Sequence, residues 1–469
     1  MKVMLLVMVI LLLITGCHND VNVQGTNADK NKKNVSDSSN TTTNYSATTP
    51  FSEENIPTEI TSANITRKDS VYQLKEYNHY LTLLIVEVSD YNISKYLTYI
   101  KPNNLSVNEF LYDSYYCSES VPMGQGYNQS GSKYCFYNPT DNNIYPLIIP
   151  NGTPMWTYSA SSQITLKGRY QYKWLSVTGQ FSADDYQDVK LFRIDGKTKK
   201  LEIIDSLKLV SPFVLLAKLN DEEFISYYNV DVESTDADNA VLTVATIYNI
   251  NGQKKEIIRE KFENNKKWDN SKGIILENFS CFNNEIYAIG RQKISNEDCY
   301  FIFHYDKNGK LLNQKQIWGL NKYFSKSAFI EFHIVDDYLL FFDSDLCNYI
   351  FKLNGNTATL IAKIHGGNWA YSDKYIYFMA TNVDMETAQI VKSPQLLHII
   401  DLTSNRIYAL NIELPNPQGK AFSMLYTFSN SSIGIKYNDT SVTGSFKYDQ
   451  YVLKETYIDE FIKKQEKLS

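Results

Sequence analysis

The sequence predicts an all-β fold closed into a β-propeller, with seven blades favoured and six or eight remaining open. Three features lead there. A strand–turn–strand unit recurs along the chain, its turns fall at a near-regular spacing, and the strands preceding the units are apolar on successive residues.

The first unit joins Tyr134 to Tyr137 with Ile144 to Ile149 through Asp141-Asn142, and the second joins Val189 to Ile194 with Leu201 to Ile204 through Asp195-Gly196. The third turns at Asn251-Gly252 between Val244 to Ile250 and Glu256 to Ile258. Asn308-Gly309 follows Phe301 to Tyr305, and Asn354-Gly355 joins Tyr349 to Leu353 with Thr359 to Ile364. Leu396 to Leu402 turns near Ser404-Asn405 into Ile407 to Ile412. A degraded seventh copy runs from Ser445 to Tyr448, past Asp449, into Val452 to Tyr457. Asn-Gly and Asp-Gly suit two-residue hairpin turns, because both centres need positive φ to match the strand twist.

Successive turns lie about 45 to 57 residues apart, near the repeat of a four-stranded blade with generous loops. Each turn would join the two outer strands of a blade. Upstream strands such as Glu223 to Asn229, Glu285 to Gly290, Tyr338 to Asp343 and Tyr375 to Ala380 lack polar alternation. A strand packed on both faces reads that way. The 36 Tyr and 23 Phe supply bulk for the wedges between splayed blades. Leu81 to Val88 has no turn of its own and is expected to complete a terminal blade, while Asp459 to Lys467 reads as a short charged helix. Two stacked β-sandwiches or an irregular β-solenoid are the alternatives.

The N-terminus differs in kind. Met1-Lys2 precedes an apolar run from Val3 to Ile14, which ends in Ile14-Thr15-Gly16-Cys17. The run is short for a hydrocarbon core of about 30 Å but suits a cleavable signal. Ile14-Thr15-Gly16-Cys17 resembles a bacterial lipobox. The resemblance implies cleavage after Gly16, a diacylglycerol on the Cys17 thiol, and a cell-membrane location on the extracytoplasmic face. Two acyl chains at about 0.8 kcal/mol per buried methylene would hold the protein there. The chain thus divides into a signal peptide (1–16), a lipidated Cys17 with a polar tether (17–56), and a propeller-like domain with a short C-terminal helix (57–469). The tether is Asn, Ser, Thr, Asp and Lys, with too little apolar surface to offset its ordering entropy.

A net charge of −6 without a basic block gives no reason to expect nucleic acid as a partner. Besides Cys17, the cysteines are Cys117, Cys135, Cys281, Cys299 and Cys347, an odd set that excludes a fully paired framework. Cys117 and Cys135 flank a Gly-rich loop symmetrically and could face each other across a hairpin. No CxxC or Cys/His cluster offers a metal site, and no cofactor is expected. His18, His79, His304, His333, His365 and His398 show no metal spacing, and G-x-S-x-G, P-loop and dinucleotide fingerprints are missing from the sequence.

Asp231 to Asn239 is acidic enough to hold calcium but lacks the Gly and closing Glu of an EF-hand loop, so a solvated hairpin loop is the plainer expectation. His365-Gly366-Gly367-Asn368-Trp369 suits a ligand loop or, more simply, a blade-to-blade connection that needs glycine. Trp268, Trp318 and Trp369 lie about 50 residues apart, each shortly after an outer strand, and Trp156 holds a comparable place. Equivalent connections would gather these four indoles near the channel mouth, where aromatic faces suit sugar rings or peptide side chains. Packing between blades is the competing explanation.

From lipobox to C-terminus the chain resembles lipid-anchored bacterial β-propeller proteins in general, a resemblance that carries no catalytic residue with it. Two functions fit. One is a surface lipoprotein whose propeller face binds a ligand, wall polymer or partner protein. The other is an extracytoplasmic enzyme acting on glycans or peptides with channel carboxylates. The lack of hydrolase motifs favours the first. Cys17→Ala is expected to abolish labelling by palmitate and to leave the precursor uncleaved or released; a Cys17→Ala protein that still takes the label would overturn the lipobox assignment.

Overall fold

The structure is a computed structural model that describes residues 81–466, apart from 84–86, 93–95, 101–104, 123–129, 151–157, 177–186, 210–213, 233–238, 265–273, 296, 321–328, 344–346, 366–367, 381–394, 413–418 and 440–447. Seven sheets whose blade strands pair antiparallel stand in a ring, so the seven-bladed β-propeller predicted from the sequence is the fold. In chain order the blades cover 106–146, 158–209, 215–264, 275–317, 329–365, 368–412 and 420–453. Within each of the first six, successive strands run outward from the axis.

Successive residues of a blade's second strand serve opposite neighbours. In Tyr338–Asp343, Leu339 and Phe341 pack against blade four, whereas Tyr338 and Leu340 pack against blade six. Alternation of side chains across the pleat thus sends apolar groups to both faces, which removes the polar alternation from the sequence. Apolar clusters fill all seven seams between adjacent blades, including the one between blades seven and one.

The last seam is closed differently from the expectation. Residues 448–457 do not form a hairpin: Tyr448–Leu453 is one strand, and the chain enters a helix at Glu455. The missing outer strand comes from the N-terminal side, where Thr98–Ile100 pairs antiparallel with Gln450 to Val452. Nor does the segment from Leu81 to Val88 supply that strand. Leu81–Leu83 adds to the outer edge of blade five, and Glu87–Asn92 pairs in parallel with the outer strand of blade six. The chain therefore crosses three blade edges before it enters the ring, covering edges that would otherwise offer unpaired backbone groups.

The turns also refine the expectation. Those at Asn251-Gly252 and Asn308-Gly309 are three-residue loops, with Gly252 and Gly309 at φ of 81° and 80°. Each opens with an Asx cap: Asn249 Oδ1 accepts from the Asn251 and Gln253 amides, and Asp306 Oδ1 from those of Asn308 and Lys310. Among the described outer hairpins, the two-residue loop occurs at blade five, closed by the Asn354–Thr357 pair.

The C-terminal helix, Glu455–Glu466, starts earlier than predicted and is docked rather than solvated. Ile458, Phe461 and Ile462 form a stripe at the i, i+3, i+4 spacing and enter the core of blades six and seven. Each such side chain contributes about 1.5–3 kcal/mol by burial. Lys374 reaches Asp459 at 2.8 Å, and the Tyr375 hydroxyl donates to the same carboxylate at 2.8 Å.

A chain beginning at residue 57 is expected to melt with the mature protein, whereas one beginning at Asn104 lacks the closing strand and is expected to melt several degrees lower. Calorimetry on both truncations checks this; equal melting temperatures would mean that Thr98–Ile100 is not what closes the ring.

Candidate functional site: the inner wall of the ring

The axis is lined by Ser106–Leu111, Tyr158–Leu166, Leu215–Lys218, Ile275–Phe282, Phe329–Val335, Asn368–Tyr371 and Lys420–Thr427, the innermost strands of the seven blades. Their pairing with the second strands shifts register at Val107/Glu109, Leu276/Asn278, Phe329/Glu331 and Phe422/Met424. A bulge takes backbone groups out of the ladder, and those groups need partners. Side chains of neighbouring blades supply several. Asn229 donates to the Leu276 carbonyl at 2.9 Å, and Gln163 to the Asn108 carbonyl at 3.2 Å.

Polar bonds cross every seam near the axis. Trp174 Nε1 donates to Ser226 at 2.9 Å, Tyr227 donates to Asn278, and the Ile334 amide donates to Ser280 at 3.0 Å. Asn368 exchanges two bonds with the Leu425 backbone, of 2.7 and 2.8 Å. Glu109 joins three blades: its carboxylate accepts from the Ser429 amide at 3.0 Å and from the Thr165 hydroxyl at 2.8 Å. Burial nonetheless raises its pKa to about 6 against these hydrogen bonds.

The seam between blades five and six carries the most chemistry. Glu331 Oε1 lies 2.8 Å from His333 Nε2, and the Tyr371 hydroxyl lies 2.8 Å from His333 Nδ1. Burial, with the Glu331 charge second, pushes the Tyr371 phenol well above its ordinary range, so it stays protonated beside Nδ1. Trp369 stands edge-on to His333 with ring centroids 5.1 Å apart, and its indole N–H points to the Phe341 carbonyl at 3.4 Å. Glu331 remains 45% exposed, so a carboxylate faces solvent beside three aromatic rings.

A second titratable group lies in blade four. Glu277, at the bulge, accepts from Arg291 Nε at 2.7 Å, while Asp298 stands 3.9 Å from the same guanidinium. The other Glu277 oxygen, Oε2, is buried and has no hydrogen-bond partner among the described residues. Burial outweighs Arg291 and lifts the carboxyl to about 7.

The predicted indoles are not equivalent where they are described. Trp369 lies in the innermost strand of blade six, on the wall just outlined. Trp318 lies on the outer rim, 50% exposed, where it bridges to Thr357 of blade five. Ile148 holds the matching rim position against Lys200, so Trp318 is the counterpart of Ile148 rather than of Trp369. The rim bridge follows directly from the end of an outer strand, before the chain turns inward, and counting residues from the hairpin turn did not separate the two places. Cys17, Trp156, Trp268, Gly366, Gly367 and the side chains of His365 and of Asp231 to Asn239 lie outside the described residues. Glu331, His333, Tyr371, Glu109 and Glu277 were missed, because the innermost strands that carry them had not been located. Among the described residues, no cluster of His, Cys, Asp and Glu could hold a metal ion, and no helix is long and apolar enough to cross a membrane.

No family model matches the sequence, and no curated protein matches it. Among solved structures the chain is similar to an oligogalacturonate lyase from Vibrio parahaemolyticus, at 9% identity and a TM-score of 0.42, over 76% of this chain and 92% of that one. An oligogalacturonate lyase in complex with manganese matches at 9% identity and a TM-score of 0.41, over 77% and 97%. A puromycin-hydrolysing peptidase of Mycobacterium tuberculosis matches at 9% and 0.38, over 74% of this chain and 53% of the peptidase.

Stability should follow pH through buried groups of opposite sign. His398 is buried, which lowers its pKa to about 3 from 6.5; its contribution is full above pH 6.5 and is lost as pH falls toward 3. At pH 5 the loss is about 2 kcal/mol. Glu109 and Glu277, raised to about 6 and 7, contribute fully below pH 4.5, and their share is lost as pH rises through those values. Removing the His398 penalty is therefore expected to raise the melting temperature of His398→Gln at pH 5 relative to that at pH 7.5. A difference between the two pH values unchanged from wild type would show that His398 does not set the acid limb.

Proposed function

We propose that this protein is a membrane-anchored surface lipoprotein whose propeller binds a ligand, a wall polymer or a partner protein, at the mouth of its axis. The observation that carries the proposal is the group on the blade five–six seam: Trp369, Tyr371 and His333 present aromatic surface next to the solvent-facing Glu331 carboxylate. An indole face stacks on sugar rings or apolar side chains, and a carboxylate accepts from hydroxyls or pairs with a cationic group. The protonated Tyr371 supports binding over catalysis. A phenol held far above its ordinary pKa is a hydrogen-bond donor and a poor nucleophile.

A second reading, an extracytoplasmic enzyme acting on glycans or peptides, draws on Glu277. A carboxyl that titrates near 7 is suited to general acid–base work. Screening glycan and peptide arrays with the wild-type protein, alongside a hydrolase screen of wild type and Glu277→Gln, separates the two. Trp369→Ala is expected to weaken array binding about 2- to 13-fold, the effect of losing about 0.5–1.5 kcal/mol of stacking, with little change in melting. Trp318→Ala, on the rim, should leave binding unchanged. Should Trp369→Ala instead cost the roughly 3–5 kcal/mol of a core truncation and spare binding, Trp369 is packing alone.

A further inference from the structure

We propose that Cys117 and Cys135 close a cross-strand disulfide in the exported protein, pinning the second and third strands of blade one beside the seam that closes the ring. The proposal rests on export, which the lipobox supports, and on a geometry independent of export.

Cys117 lies directly opposite Cys135 in the antiparallel pairing of Ser114–Pro122 with Ser130–Asn138. Directly opposed residues have Cα atoms about 4.5–5.5 Å apart, inside the range of about 4.4–6.8 Å that a disulfide spans. Both side chains point to one face, since both belong to the apolar cluster shared with Val107, Ile100, Phe428 and Val452. The other cysteines of the described strands have no such partner: Cys281 stands opposite Ile286, Cys299 opposite Gln292 and Cys347 opposite His365.

In the dithiol form the Cys117 thiol donates to the Tyr115 carbonyl at 3.4 Å. Burial pushes that thiol well above its ordinary pKa, so the folded dithiol has little thiolate to react. The bond therefore forms while the hairpin closes, before blade seven covers it. Two S–H bonds break and one S–S bond forms. The two electrons and two protons pass to the disulfide of an exported thiol–disulfide oxidoreductase, which leaves as a dithiol. The crosslink closes a loop of about 19 residues, which restricts the unfolded chain.

The test has two arms. In the first, the full chain is refolded with reduced and oxidised glutathione, quenched with an alkylating reagent and mapped by mass spectrometry without reductant. A linked Cys117–Cys135 peptide pair, two hydrogens lighter than the dithiol, is expected, with Cys281, Cys299 and Cys347 alkylated. The oxidised protein should melt several degrees above the reduced one. Alkylation of both Cys117 and Cys135 after oxidative refolding overturns the proposal. In the second arm, protein from intact cells is quenched before lysis and mapped with its fatty-acid label. A linked pair supports the proposal, and free thiols on a labelled chain overturn it while leaving export standing. A chain without lipid fails the export reading instead, and the glutathione arm then decides the geometry.

Discussion

A sheet that is apolar on both faces cannot end a stack, and every blade of this protein is such a sheet. An open array would leave two end faces exposed, each the size of a seam cluster such as the one joining blades five and six. Closure removes both faces at once, which makes the seam between blades seven and one the contact on which the others depend. There the chain combines several devices. Thr98–Ile100 completes blade seven from the N-terminal side, and Ile100 is buried among Leu105, Val107 and Val452. Gln450, wholly buried, accepts from the Val107 amide at 2.7 Å and donates to the Leu105 carbonyl at 2.7 Å. Those two backbone groups belong to the start of blade one, and leaving either unpaired would cost about 1–3 kcal/mol. Glu109 then links the same strand to Ser429 of blade seven and Thr165 of blade two.

The angle between blades is set at both radii. Near the axis the bulged strands take bonds from a neighbouring blade, which holds the narrow end of each wedge. At the rim, lysines reach the hairpin turn of the following blade: Lys255 meets Asn308 at 2.9 Å, Lys315 meets the Gly355 carbonyl at 3.2 Å, and Lys352 meets Asn405. Exposed contacts of this kind are individually weak. Their value lies in repetition, since each ties a rim turn to the blade before it. Tyrosine suits the space between. Its ring fills the wedge, and its hydroxyl reaches a partner near the edge, as Tyr172 does to the Ile250 carbonyl at 2.9 Å and Tyr248 to Asp205 at 2.7 Å.

The outer half of each blade was legible in the sequence and the inner half was not, for a physical reason. Outer hairpins turn through Gly252, Gly309 and Gly355, whose left-handed backbone restricts residue choice and so leaves a local signature. Doubly buried second strands announce themselves by unbroken apolar runs. The innermost strands are mixed in polarity and several are bulged: Asn368–Tyr371 reads Asn-Trp-Ala-Tyr, and Phe329–Val335, bulged at Phe329/Glu331, places Glu331 and His333 among Phe332 and Ile334. Their polar residues answer to partners about 40 to 60 positions away, such as His333 with Tyr371 and Asn368 with Leu425. No local pattern encodes that pairing. The closing strand was hidden for the same reason, because Thr98–Ile100 has a partner some 350 residues distant.

This long-range pairing also bears on where a ligand would meet the protein. A bond such as that of Tyr371 with His333 is paid for in desolvation on both sides and is kept only where the geometry satisfies it. Once satisfied, it leaves the two rings and Trp369 few alternative rotamers, because moving one would strand the others. The wall between blades five and six is therefore pre-organised, and a ligand would lose little free energy in ordering it. Glu331 is the exception, bonded to His333 through Oε1 yet nearly half exposed. A rigid aromatic surface with one accessible anion at its edge is the arrangement that selects a ligand by shape first and by polarity second.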